Sequence, residues 1–331
     1  MRWLIRLCIV LVVLWCAWWA LASYGASTGA ERLFASKAGD GWRATISQSG
    51  FPFRIQTRLQ NLRLTDPATT TVVTLDQASV SAPTYWPGFV TLDLPQSPIT
   101  LETPASDVMF EGADTQAGVR VTPGATLSLQ EARIVSADWL LRIGDAVVVE
   151  AQDLNISAVQ DAQDAQRYDI AISAEDLTPG PLLRSLIALP DDWPDTFESL
   201  LAEAAVTFDK PLDRFATEGT PPRARVVELH DMAISWGPVA LTAQGIIQLS
   251  DTGQPDGEIE IQLSQWPRLL DLAESSGVLP AAVRRQSELM FRALGNLAGD
   301  PEDLDLTLTF AQGRMALGPI DLGPAPEFYL Q

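Results

Sequence analysis

One six-residue pattern recurs along the chain: apolar, polar, polar, apolar, any, apolar. Copies run from Leu59 to Leu64, Leu75 to Val80, Leu129 to Ile134, Ala151 to Ile156 and Leu229 to Ile234. An alternating stretch precedes each copy, with apolar residues at odd positions such as Ile55, Val73, Leu127, Val149 and Val227. After the polar pair the apolar residues fall at even positions. Side chains on a strand alternate faces, so a slip of one residue would turn the hydrophobic set outward. A bulge absorbs one extra residue, bends the strand and keeps the same face inward. The pattern therefore predicts bulges or strand breaks at Gln60-Asn61, Asp76-Gln77, Gln130-Glu131, Gln152-Asp153 and His230-Asp231. It also predicts a sheet that curls.

Alternation dominates from Phe53 to Ile172 and returns from Val206 to Leu263, with final strands at Leu304 to Phe310 and Met315 to Leu317. Turn-prone pairs such as Asp66-Pro67, Pro87-Gly88 and Pro123-Gly124 separate the segments, as in an antiparallel meander. Helical spacing predicts a stretch after Pro179-Gly180-Pro181, with Leu182, Leu183, Leu186 and Ile187 on one face. It predicts further helices over Asp195 to Ala205, Pro267 to Ser275, and Pro280 to just before Gly299. In the last of these Val283, Ser287, Met290, Leu294 and Leu297 share a stripe, with Arg284, Arg285 and Glu288 facing away. Val283, Met290, Leu294 and Leu297 are thus candidates to line or plug a groove.

The N-terminus breaks the alternation. Leu7 to Ala30 carries no charge, Leu7 to Ala22 is almost purely apolar, and Arg2 and Arg6 precede it. About 20 apolar residues span a bilayer as a helix, and basic residues mark its cytoplasmic end. Trp15, Trp18, Trp19 and Tyr24 fall where an interfacial aromatic belt would lie. The reading is a single-pass anchor in a bacterial inner membrane with the rest of the chain periplasmic. The competing reading is a signal peptide cleaved near Ala22, since Ala20-Leu21-Ala22 fits a small-x-small site. Four regions follow: an anchor over 1–26, a juxtamembrane lead-in and first strand over 27–48, a first β-rich half over 49–178, and a second half with helices and strands over 179–331. In sum the expected fold is α+β and β-rich: a curled antiparallel sheet of bulged strands, a few packing helices and one N-terminal transmembrane helix.

Composition sharpens this picture. The 331 residues have a formal charge of −20, and every acidic residue follows the anchor. Such a surface repels phosphate backbones, so no nucleic-acid partner is expected. Both cysteines, Cys8 and Cys16, lie in the anchor segment, which rules out a disulfide or thiolate metal site in the rest of the chain.

Candidate chemistry is sparse. His230 is the sole histidine and sits beside Asp231 at a polar pair; without a nucleophile elbow it reads as a solvent-facing strand residue. Asp303 and Asp305 alternate with Leu304 and Leu306, which places both carboxylates on one strand face, the solvated side of an amphipathic strand. Trp86, Trp139, Trp193, Trp236 and Trp266 read as core anchors. The residues point to no enzyme, no cofactor and no metal, and they name no protein partner. The expected partners are membrane lipid for the anchor and an apolar ligand for the groove. A structural envelope scaffold with a closed core, and a hydrolase using acidic residues, are the alternatives.

The anchor, Gly41-Trp42, the turn Ser49-Gly50-Phe51-Pro52-Phe53-Arg54 and the closing Gly313-Arg314-Met315-Ala316-Leu317-Gly318-Pro319 resemble the alphaproteobacterial domain of unknown function 2125 family. More distantly, an anchor joined to a bulged meander with capping helices is similar to the AsmA and TamB group. That resemblance implies inner-membrane proteins whose periplasmic sheets form hydrophobic grooves for phospholipid. It supplies no catalytic residues. At 331 residues the chain is too short for that group's long bridges, so any groove would be a module.

Overall fold

The computed structural model describes residues 2–66, 69–85, 88–94, 98–104, 106–122, 124, 126–186, 193–215, 222–275, 284–285, 288–293, 302–318 and 320–328, with the side chains of residues 2–12, 26, 33 and 320 left aside. The chain is β-rich and its strand pairings are antiparallel. It divides into two compact units: residues 1–123 with 132–145, and residues 124–131 with 146–331.

The first unit opens with helix α1 (Arg2–Lys37), followed by a 3-10 turn (Ala38–Asp40). The anchor segment and the first part of the expected lead-in, as far as Lys37, are one continuous helix. Among the described residues no helix is long and apolar enough to cross a membrane. The transmembrane helix expected from the sequence is therefore not found among the described residues, which leave aside the side chains of residues 2–12.

Strand β1 (Arg43–Ser49) pairs with β2 (Arg54–Asp66), which pairs with β3 (Thr71–Pro83). The far edge of β3 is shared: Ser79–Ser81 pairs with β4 (Phe89–Asp93), and Val72–Thr74 with β5 (Ile99–Glu102). β6 (Asp107–Gly112) pairs with β5 and with β9 (Trp139–Ile143), and β7 (Gln116–Val121) pairs with β4. Strand β8 (Leu129–Ser136) crosses the boundary between the units, which falls between Glu131 and Ala132.

Among the described residues the second unit holds a meander from β10 (Ala146–Gln160) through β11 (Arg167–Pro179), β12 (Phe197–Phe208), β13 (Ala224–Trp236), β14 (Val239–Leu249), β15 (Pro255–Ser264), β16 (Asp303–Ala311) and β17 (Arg314–Leu317) to β18 (Ile320–Pro324). Each pairs with the next. Helix α2 (Pro181–Leu186) follows β11, and α3 (Trp266–Ser275) follows β15.

Three of the five predicted slips are strand irregularities. In β13, Leu229 faces Gly245 and Met232 faces Ala243, so His230 and Asp231 together oppose Gln244 alone. Both are exposed, whereas Leu229 and Met232 are half-buried. In β10 the register shifts on both sides of Gln152, and Asp153 takes a positive φ of 48°. In β2 the register against β1 shifts between Arg63 and Gln60, and Asn61 has φ 51°. In β3 the strand and its register against β2 run unbroken past Asp76-Gln77, so no bulge or break forms there, although this exposed pair lies between buried Leu75 and Ala78 where the far edge passes from β5 to β4. The fifth copy differs. Gln130 and Glu131 are half-buried, Ile134 is 41% exposed, and Leu127 stands outside the strand with φ 51°. There the chain leaves one unit for the other, so no single inward face governs both sides of the pair.

The helix predicted over Asp195 to Ala205 is strand β12. Leu200, Ala202, Ala204, Val206 and Phe208 recur at period two and face the core, and β11 and β13 pair with it on both edges. Ladder bonds on two sides override the helix preference of Leu, Ala and Glu. The helical residues 288–293 lie within the stretch predicted as the last helix. Ile187, Val283, Ser287, Leu294 and Leu297 lie outside the described residues.

Candidate functional site

The bulge in β13 keeps one face of the second sheet apolar from edge to edge. Reading across the register, one row runs Ile170, Ala204, Leu229, Gly245, Ile259 and Leu308. The next runs Ile172, Ala202, Met232, Ala243, Ile261 and Leu306. The first row meets β13 at an odd position and the second at an even one. The extra residue at His230 makes that switch, and without it Met232 and Ile234 would face outward.

Packing closes the two ends of this face and leaves the middle thinner. At one end Tyr168, Val206, Phe208 and Ala224 form a buried cluster with Leu129, Leu212 and Leu249 against it. The Tyr168 ring meets Phe208 edge-on at 5.9 Å. Its hydroxyl donates to the Leu129 carbonyl at 3.1 Å and accepts from Gln160 Nε2 and the Leu212 N–H. Burial pushes the phenol up from its ordinary pKa, partly offset by the bond from the Leu212 backbone. At the other end Trp193, Trp236 and Val239 are packed by Phe197, Leu263, Leu269 and Leu272. Trp266, Leu304 and Leu306 form a third cluster that receives Leu270 and Phe291. Helix α3 thus covers the Leu263 end. Between the ends, all six residues of the Ile170–Leu308 row are only half-buried.

The opposite face is polar. Glu203, His230, Asp231, Gln244, Glu258, Glu260 and Asp305 are exposed on it. Arg167 grips Glu228 through two bonds of 2.5 and 2.8 Å, reaching from β11 to β13 across β12. That contact holds the Glu228 carboxyl below the usual carboxylate range. A shallow depression of about 110 Å³ beside Asp231 is lined by Thr242, Gln244, Glu260 and Gln262 among others. Among the described residues, no group of three or more His, Cys, Asp or Glu is placed to hold a metal ion. Asp303 and Asp305 flank buried Leu304 and lie on the exposed side of β16. Trp193, Trp236 and Trp266 are buried core residues, Trp139 stacks on Phe110, and Trp86 lies outside the described residues.

Of the residues singled out along the last predicted helix, Met290 is half-buried. Arg284, expected to face away, is held among the carboxylates of Asp271, Glu274 and Glu288, which ties this segment to α3.

At the N-terminus, Trp15 and Trp19 donate their indole N–H groups to the carbonyls of Pro52 (3.0 Å) and Arg54 (2.7 Å), and Trp18 donates to Thr84 (3.1 Å). Trp19 also meets Phe51 edge-on at 5.1 Å. Tyr24 is exposed, and the Arg2 and Arg6 side chains lie outside the described residues. Aromatic type alone suggested a lipid belt. What it did not reveal was that each indole N–H finds a backbone carbonyl within the same unit.

No curated protein matches the chain. The sequence profile of one family matches residues 19–326, from the docked Trp19 through both units to the last strand. With nearly its whole length matched, the chain belongs to the family described as "Uncharacterized protein conserved in bacteria (DUF2125)".

Proposed function

We propose that this is a non-enzymatic, membrane-tethered protein whose second sheet shields an apolar ligand, lipid being the first candidate, on the periplasmic side of a bacterial inner membrane. The observation that carries the reading is the Ile170–Leu308 row. Six strands contribute apolar side chains or glycine to it, and every position keeps part of its surface open. Contiguous apolar surface of this kind marks an interaction site more often than a free face. The tether rests on the charge-free sequence from Leu7 to Ala30. The distant likeness to the AsmA and TamB group motivates lipid as the ligand.

Ala204, at the centre of the row, supplies the test. The full chain is purified from bacterial membranes in mild detergent, and bound lipid is extracted and identified by mass spectrometry. The native chain should retain lipid, and Ala204→Trp should retain little while melting at nearly the same temperature. A native chain that retains no lipid, or that loses none on Ala204→Trp, refutes the reading.

A second reading, an envelope scaffold with a closed core, draws on α3 and Phe291, which already cover one end of the face. In that case Ala204→Trp overpacks a filled interior and costs about 1–3 kcal/mol.

A further inference from the structure

The three tryptophan bonds fix where the first unit sits along α1. If the apolar stretch begins at Leu7, then ~20 residues at ~1.5 Å each are needed to cross ~30 Å of hydrocarbon. Trp15, Trp18 and Trp19 then fall about 12–18 Å along the span, well short of its outer edge. Pro52, Arg54 and Thr84 are bonded to those indoles, so the turn at residues 50–54 is carried to the same depth.

The turn is built for such a setting. Backbone outside regular structure survives in lipid only if its polar groups are paired within the protein. Here the carbonyls of Pro52, Arg54 and Thr84 accept the indole bonds. The Arg54 N–H donates to the Gly50 carbonyl at 2.9 Å, and the Thr84 N–H donates to the Phe53 carbonyl at 3.0 Å. The exposed side chains of the turn are Phe51 (56%), Phe53 (68%) and Arg54, whose long stem can carry its charge toward water, and Tyr85 beside them is 72% exposed. On α1, Val13, Leu14 and Leu21 are exposed as well. Exposed apolar side chains of this size gain free energy when lipid rather than water covers them.

We propose that Phe51, Phe53 and Tyr85 form a membrane-inserted wedge, covered by lipid of the outer leaflet of the membrane that holds α1. This rests on the reading of α1 as a membrane tether.

The test uses the full chain with Cys8→Ser and Cys16→Ser, reconstituted in phosphatidylcholine vesicles. Single cysteines at Phe53→Cys, Tyr85→Cys or Thr69→Cys carry an environment-sensitive fluorophore. Thr69 is exposed at the other end of the β2–β3 hairpin, about 40 Å away along the strand. Circular dichroism checks that each variant is folded, and the two wedge positions back each other up. The labels at Phe53→Cys and Tyr85→Cys should emit blue-shifted light and lose intensity when the lipid chains carry a spin label near their ends. The label at Thr69→Cys should do neither. If all three labels report water while the chain resists alkaline extraction, the wedge is refuted and the tether stands. Blue-shifted emission that spin-labelled lipid leaves untouched means that protein covers the turn, which also refutes the wedge. Release of the chain by alkaline extraction refutes the tether and the wedge with it.

Discussion

Replacing Tyr168 with phenylalanine isolates one hydroxyl at the most buried point of the second unit. The residue is 0% exposed and its ring packs edge-on against Phe208. Phenylalanine keeps the ring, so cavity formation adds little. What is lost is a donor to the Leu129 carbonyl and an acceptor for the Leu212 N–H and Gln160 Nε2. A typical hydrogen bond contributes about 1 kcal/mol net, and stranding a buried partner costs about 1–3 kcal/mol. Gln160 sits near the surface and can recruit water, so the Leu129 and Leu212 backbone groups dominate, and the expected loss is about 2–3 kcal/mol. For a unit of this size, each kcal/mol lowers Tm by about 2–4 °C, which predicts a fall of roughly 5–10 °C. Urea titration followed by tryptophan fluorescence gives the free energy directly. Tyr168→Leu, which also removes the ring contact, should lose clearly more. A Tyr168→Phe variant within about 0.5 kcal/mol of the native chain would show that the hydroxyl is not desolvated and would overturn the account of this cluster.

Gly50 has φ +99°, and a Cβ there would stand 2.7 Å from the Arg54 carbonyl oxygen, so Gly50→Ala should destabilise the first unit by about 1–3 kcal/mol, read as a lower melting temperature. Trp266 is 1% exposed in its cluster; Trp266→Ala should cost about 3–5 kcal/mol, and a loss below about 1 kcal/mol would contradict its place in the core. Because the Arg167 bond depresses the Glu228 pKa, the pair's stabilisation is complete above the ordinary carboxylate value and is lost as pH falls through the lower folded value. Glu228→Gln should therefore be less stable than the native chain near neutrality, by about 0.5–1 kcal/mol, and the difference should close in acid; a gap that stays constant with pH would rule out the linkage. Deleting His230 should turn Met232 and Ile234 toward solvent, giving a chain that aggregates or binds a hydrophobic dye, whereas His230→Ser should behave as native.

Local pattern exposed the bulges because each combines two outward polar residues with a parity switch, and both are visible without any partner strand. It failed at β12 because the period-two set from Leu200 to Phe208 is written in alanine and leucine, residues that also favour a helix; the ladders to β11 and β13 decide, and those partners are remote in sequence. It failed at Gln130-Glu131 for a related reason, since the same motif lies where the chain changes units. The candidate apolar face was legible strand by strand, but its continuity depends on register across five ladders. The contacts of Trp15, Trp18 and Trp19 were not legible, because an indole N–H gives no hint of which distant carbonyl it will meet.

The path of the chain through its two units has a consequence for fragments. Residues 124–131 belong to the second unit yet precede 132–145, which belong to the first. The carbonyl that Tyr168 requires comes from Leu129, inside that early segment. A polypeptide that starts at Ala146 is therefore born without a piece of its own interior, and one that stops at Asp145 carries a strand that belongs elsewhere. No single cut divides this protein into two self-sufficient products. During synthesis the Leu129 segment has to wait for Tyr168 to emerge, so the second unit can mature only after the first has been fully made.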